Sequence, residues 1–291
     1  MKRYSVLMIL TAICRLNAWC QPTDIKSVFN AATFQSGLPA GGGLATAYCP
    51  TYNAKPGIYV ASTTSPLPFE LGGLRVNIND GNAPILAVII PPPGESQYAQ
   101  VNFQVPQERN SSIIVAQGSP GFMTCGNGLM SPLPALPSWG GFFSDANGYA
   151  VAQHASDFSQ VTTDNPAHPG ETIIAYADDF FPVWPPPPVG FPVPPQPQFK
   201  ARSPKDTNIR DPGLLYLQAY PLTVNNIGGP NTPPLVVTFA GLAPGQVGVE
   251  QINFVVPDDQ QPGDWALFYN MRFATQPFKS VSSPFVKLPV R

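Results

Sequence analysis

Gln100-Val101-Asn102-Phe103-Gln104-Val105-Pro106 and Gln251-Ile252-Asn253-Phe254-Val255-Val256-Pro257 are two copies of one heptapeptide, QVNFQVP and QINFVVP. Side chains alternate across a β-strand, so Val101, Phe103 and Val105 share one face, as do Ile252, Phe254 and Val256. Each copy ends in Pro, which cannot donate to a β-ladder and closes the strand. Two equivalent strands about 150 residues apart specify two similar β domains rather than a solenoid of short repeats. Phe103, Val105, Phe254, Val256 and Ile174 are the expected core residues. Gln and Asn of the heptads are expected on the opposite face, toward solvent or a loop backbone.

The similarity extends outward from the heptads. Upstream of the first, Leu71 to Pro84 reads as a strand turning around Asp80-Gly81, a hairpin dipeptide, with Ile85 to Ile90 as the returning strand. Leu222-Thr223-Val224 and Leu235 to Phe239 occupy the matching places in the second half. Downstream, Ser111 to Gln117 and Trp265 to Phe273 read as strands, and Phe285 to Val290 as a last edge strand. Asp145-Ala146-Asn147-Gly148 is expected to turn a hairpin into Tyr149 to Gln153, and Thr172 to Ala177 is a further strand. Gly118 to Trp139, rich in Gly, Pro and Ser, is expected to link the modules. No segment sustains a 3.6-residue apolar period, so the chain is expected to be all-β. The expected architecture is two antiparallel β-sandwich domains in tandem, at 21–131 and 132–291.

Composition supports that organisation. Only 11% of residues are charged and 38 are Pro, while 43% are hydrophobic, enough for a core. Pro and Gly then punctuate short strands. Lys2 and Arg3, the apolar run Tyr4 to Cys14, and Ala18-Trp19-Cys20 have the layout of a secretory signal peptide, expected at 1–20. The run is too short to span a bilayer as a helix, so no membrane span is expected in the mature chain. Removing Lys2, Arg3 and Arg15 from the 15 basic residues leaves 12 against 17 acidic ones. An acidic chain without a Lys/Arg cluster does not suit nucleic acid. The expected location is secreted or at the cell surface. There Cys49 and Cys125 are either paired in a disulfide or packed as two separate buried thiols.

A proline-rich run at 182–197, including Pro185-Pro186-Pro187-Pro188, favours polyproline II. It reads either as a docking strip or as a stiff loop over a sandwich edge with Trp184 and Phe191 tucked down. Trp139, Tyr149, Trp184 and Phe191 are the candidate ligand-contact aromatics, since aromatic faces suit sugar rings.

Taken in order, Asn30-Ala31-Ala32-Thr33-Phe34, Leu71 to Pro84, the two heptads, Asn165 to Val183 and Phe239 to Asn253 resemble the uncharacterised Solibacter-type C-terminal domain family of exported bacterial proteins. The resemblance covers almost all of the mature chain. It implies immunoglobulin-like β-sandwich modules of surface or secreted proteins, and no activity. Asp178-Asp179-Phe180-Phe181 departs from the small, Gly-bearing turn of that family's pattern.

The residue types present point away from catalysis. His154 and His168 with two scattered cysteines fall short of a zinc site, so no metal or cofactor is expected. Asp145 opens a stretch like a calcium loop, yet position twelve is Ser156 and the bidentate ligand is missing. Asp178-Asp179 and Asp258-Asp259 are candidates for weak cation binding at a sandwich end. Adjacent strand residues face opposite ways and suit a glycosidase carboxylate pair poorly. No G-x-S-x-G occurs. The expected function is a non-catalytic extracellular structural or adhesive module that binds protein or glycan. A carbohydrate-binding accessory protein and a surface-assembly subunit are the alternatives.

Overall fold

The computed structural model describes residues 28–50, 54–78, 81–96, 98–106, 122–125, 129–132, 140–180, 183, 186–195, 214–221, 235–258, 261–273 and 276–291. Among them there is no helix, and all the strand ladders are antiparallel. The first half contributes β1 (Val28–Asn30), β2 (Leu44–Pro50), β3 (Gly57–Val60), β4 (Val76–Ile78), β5 (Gly81–Asn82), β6 (Ile85–Ile90), β7 (Tyr98–Gln104), β8 (Phe122–Cys125) and β9 (Leu129–Pro132). The second contributes β10 (Gly141–Phe142), β11 (Ala152–His154), β12 (Thr172–Asp178), β13 (Leu214–Pro221), β14 (Val236–Leu242), β15 (Glu250–Val255), β16 (Gly263–Phe273), β17 (Gln276–Ser282) and β18 (Val286–Val290).

The two heptads occupy equivalent central strands. β7 lies between β2 and β6 in a sheet of order β1-β2-β7-β6-β3, and β15 lies between β12 and β14 in a sheet of order β10-β12-β15-β14. Each of these sheets faces a second one, ordered β5-β4-β8-β9 in the first half and β13-β16-β17 in the second, with β18 also paired to β16. Alternation buries the expected side chains. Val101 and Phe103 join Val76, Ile78 and Cys49 in one core, while Ile252, Phe254 and Val256 join Trp265, Leu267 and Tyr269 in the other. Ile174 is buried as well, but it alternates with Ile173 and so lies on the other face of β12, outside that core.

Four local expectations are corrected. Ile85 to Ile90 does not return beside β4: the two-residue β5 makes that hairpin, and after Pro84 the chain crosses to pair with β7 and β3. Pro84 has no N–H for a ladder, which suits a residue where the chain changes sheets. The segment expected as a linker carries β8 and β9, which extend the second sheet of the first half. The residues joining them, Gly126-Asn127-Gly128, are the types that mark hairpins and linkers alike. The last strand is not a bare edge. Beyond its ladder with β16 it makes parallel bridges from Lys287 to Tyr149 and from Val290 to Ala167. Of the polar heptad residues, Gln104 meets loop backbone as expected, donating to the Gly42 carbonyl, whereas Gln100 donates to Asn102 at 3.2 Å and Gln251 to Asn253 at 2.9 Å along their own strands. Gln100, Asn102 and Gln104 are buried. The strands expected at Ser111 to Gln117 and Leu222 to Val224 lie outside the described residues.

Candidate functional site

Among the described residues, a group of buried polar contacts lies where the two halves meet. Ala31, Ala32 and Leu44 of the first half pack with Phe143, Ala243 and Val249 of the second. The Thr33 side chain lies so close to the Gly141 backbone that a Cβ on Gly141 would clash with Thr33 Cγ2. Part of the proline-rich run straps the seam. The Gly190 amide donates to Gln104 Oε1 at 2.6 Å, and its carbonyl accepts from the Leu67 amide at 2.8 Å. Three residues on, the Val193 amide donates to the Gln246 carbonyl and its carbonyl accepts from the Gly245 amide. The strap therefore holds the first half through Gly190 and the second through Val193. Gly190 adopts φ +82°, and a Cβ there would press on Pro84 at 3.0 Å, so only glycine fits without strain. Gly190 and Val193 are the residues tucked in, and Phe191 is 48% exposed, against the expectation for a stiff loop.

Beside the strap, β12 ends in the acids that depart from the family pattern. Asp178 is fully buried and accepts the Leu44 amide on Oδ1 at 2.9 Å, across the seam. Its Oδ2 is buried with no hydrogen-bond partner. Burial holds its carboxyl well above the usual carboxylate range; Asp179 and Glu250 push the same way against the Leu44 N–H. Asp179 takes φ 57°, in the left-handed region where Asp is tolerated. Burial raises it to about 7 against the opposing hydrogen bond from the Ala40 amide. Glu250 accepts the Phe180 amide at 2.7 Å. Phe180 packs between Phe142, edge to face, and Tyr269, tilted, at 4.8 and 4.1 Å between ring centroids. Burial, then Asp179 and Glu250, push the Tyr269 hydroxyl far above its ordinary value.

The remaining candidates are engaged in fixing loops. His154 is buried, with Nδ1 2.9 Å from Glu171 Oε2 and Nε2 3.3 Å from the Asn165 carbonyl. Burial lowers its pKa, but the Glu171 hydrogen bond and the Asn165 carbonyl outweigh this and the net shift is upward. With both ring nitrogens occupied, the imidazole anchors residues 155–171 to the sheet. His168 lies exposed in a turn, its Nδ1 3.0 Å from the Arg291 carbonyl. Asp145 Oδ1 accepts the Asn147 and Tyr149 amides and closes the expected β-turn. Among the described residues, no group of three His, Cys, Asp or Glu is placed to hold a metal ion.

Tyr149 is half-buried, donates to Asp264 Oδ2 at 2.9 Å, and has Lys287 Nζ 4.9 Å above its ring. The hydrogen bond to Asp264, chiefly, raises its pKa. A cation over the ring occupies a face that a sugar would need. Trp139 and Trp184 lie outside the described residues, and of the four candidate aromatics only Phe191 is shown exposed. Cys49 is fully buried and disulfide-bonded. Cys125 sits on β8 opposite Val76, which belongs to the same core as Cys49. Asp258 is exposed, and Asp259 lies outside the described residues.

Sequence reading missed Glu250, Gln104 and Gly190 as seam residues. Glu250 carried a signal: aligned heptads place it opposite Ala99, an apolar core position in the first copy. No helix among the described residues is long and apolar enough to cross a membrane. Compared with protein-family models, with curated proteins and with solved structures, the chain matches none of them.

Proposed function

We propose that the chain is a non-catalytic, exported structural or adhesive protein whose two immunoglobulin-like modules act as one stiff unit, binding protein or glycan at a cell surface. The observation that carries this reading is the strapped seam, in which Gly190 and Val193 tie the two halves together beside a shared apolar contact. A stiff pair of sandwiches transmits load and presents loops in fixed relation.

Strand order supports the immunoglobulin-like assignment. Taking β1, β2, β4, β6, β7, β8 and β9 as A to G gives sheets A-B-E-D and C-F-G, the constant-type arrangement. In the second half β10, β12, β13, β14, β15, β16 and β17 repeat that order. The Solibacter-type resemblance points to the same modules, and the signal-like N-terminus supports export. The non-catalytic reading rests on His154 and Asp145, whose polar atoms are engaged in holding loops.

The test is to purify residues 21–291, screen them on a glycan array and size them by exclusion chromatography. Saturable sugar binding lost in Phe191→Ala or Trp184→Ala would move the assignment to a carbohydrate-binding accessory protein. Ordered self-association without sugar binding would favour a surface-assembly subunit. Hydrolysis co-purifying with the protein would overturn the non-catalytic reading.

A further inference from the structure

We propose that Asp178 and Asp179 form a proton-dependent clasp between the two modules, closed while these acids are protonated and loosened as they ionise. This goes beyond the structural or adhesive role, which needs only that the modules be joined. The clasp is built on one side chain of the second module and the backbone of the first, Asp178 Oδ1 accepting the Leu44 amide, with Asp179 next to it in the chain. Among the described residues 28–50, which carry both Leu44 and Ala40, there is no Lys, Arg or His to answer them. Among the described residues of the second module, Glu250 on β15 and Tyr269 on β16 act on the pair and add no positive charge. Gly140, Gly141 and Phe142, packed against the same corner, bring no ionisable group.

A buried carboxylate with one N–H donor and one unpartnered oxygen is costly in its charged form and tolerable as the neutral acid. Asp178 and Asp179 are adjacent, so ionising one raises the cost of ionising the other, and the two titrate as a pair. The folded state thus binds protons more tightly than the unfolded chain. Between roughly pH 4, where free Asp titrates, and the raised folded values, near 7 for Asp179 and well above the usual range for Asp178, stability falls as pH rises. Docking of the modules is tightest in mild acid.

The test compares thermal midpoints of residues 21–291 from pH 5 to 8.5, with hydrogen exchange read at the Leu44 amide. The wild type is expected to lose about 5 °C or more over that range. Protection of the Leu44 amide should fall at least about tenfold relative to the intrinsic rate of an open chain. Asp178→Asn and Asp179→Asn mimic the neutral acids and should each flatten the slope. Glu171→Gln removes the His154 ion pair, which titrates in the same direction, and should leave most of the slope in place. A flat wild-type profile, a slope kept in both Asp variants, or one abolished by Glu171→Gln alone would overturn the clasp. If an Asp variant does not fold, the Leu44 protection profile of the wild type decides: constant protection from pH 5 to 8.5 overturns it.

Discussion

Replacing Phe254 by Ala tests the repeated heptad directly. Phe254 is fully buried near the C-terminal end of β15, level with Ile173 on β12 and Val237 on β14. Ladders on both sides pin the backbone, so the surroundings cannot close over a missing phenyl group. Phe→Ala changes at such sites cost about 3–5 kcal/mol, and limited collapse places this one in the upper half of that span. With a urea slope of about 2 kcal/mol/M, the midpoint should fall by about 2 M. Trp265, in the same core cluster, provides a fluorescence signal for equilibrium unfolding. Ile58→Ala is the matched control: its side chain is 73% exposed on an edge strand and should change stability by less than about 0.5 kcal/mol. If Phe254→Ala shifts the midpoint no more than Ile58→Ala does, the heptads are not the core strands described.

Three further outcomes are expected. His154 has its pKa raised in the folded state, so its pairing with Glu171 stabilises fully below about pH 6.5 and that contribution is lost as pH rises through the folded value. Glu171→Gln should therefore cost about 1 kcal/mol by urea unfolding at pH 6 and much less at pH 9. Gly190→Ala forces an L side chain to positive φ against Pro84 and should cost at least about 1 kcal/mol, with faster proteolytic cutting near the strap than in wild type. Non-reducing peptide mapping is expected to recover Cys49 linked to Cys125, and Cys49→Ser should cost about 2–5 kcal/mol.

The inner faces were legible because period-2 alternation reports directly on burial: Val101, Phe103, Ile252 and Phe254 point where the pattern says. Pro106 and Pro257 mark the ends of the same strands. The outer faces were not legible in that way. Gln100, Asn102 and Gln104 look like solvent-facing residues in an isolated sandwich, but here they bond one another or the strap and loop backbone. Nothing local to a strand encodes which of its outer residues a second module will cover. Asp178 and Asp179 show the same limit. Their sequence suggests an exposed cation corner, and only tertiary packing buries Asp178 fully and Asp179 in part. The His154 contacts with Glu171 and Asn165 depend on how residues 155–171 fold back, which spacing alone does not reveal.

The two anchors of the proline-rich strap also limit travel. Gly190 is fixed to one half and Val193 to the other, and three residues of extended chain reach no more than about 10–11 Å. Shortness makes this stretch a leash with almost no slack, whatever happens to the acids beside it. The halves can breathe against each other by a few ångströms, but a wide swing must first tear Gly190 from Gln104 and Leu67, or Val193 from Gly245 and Gln246.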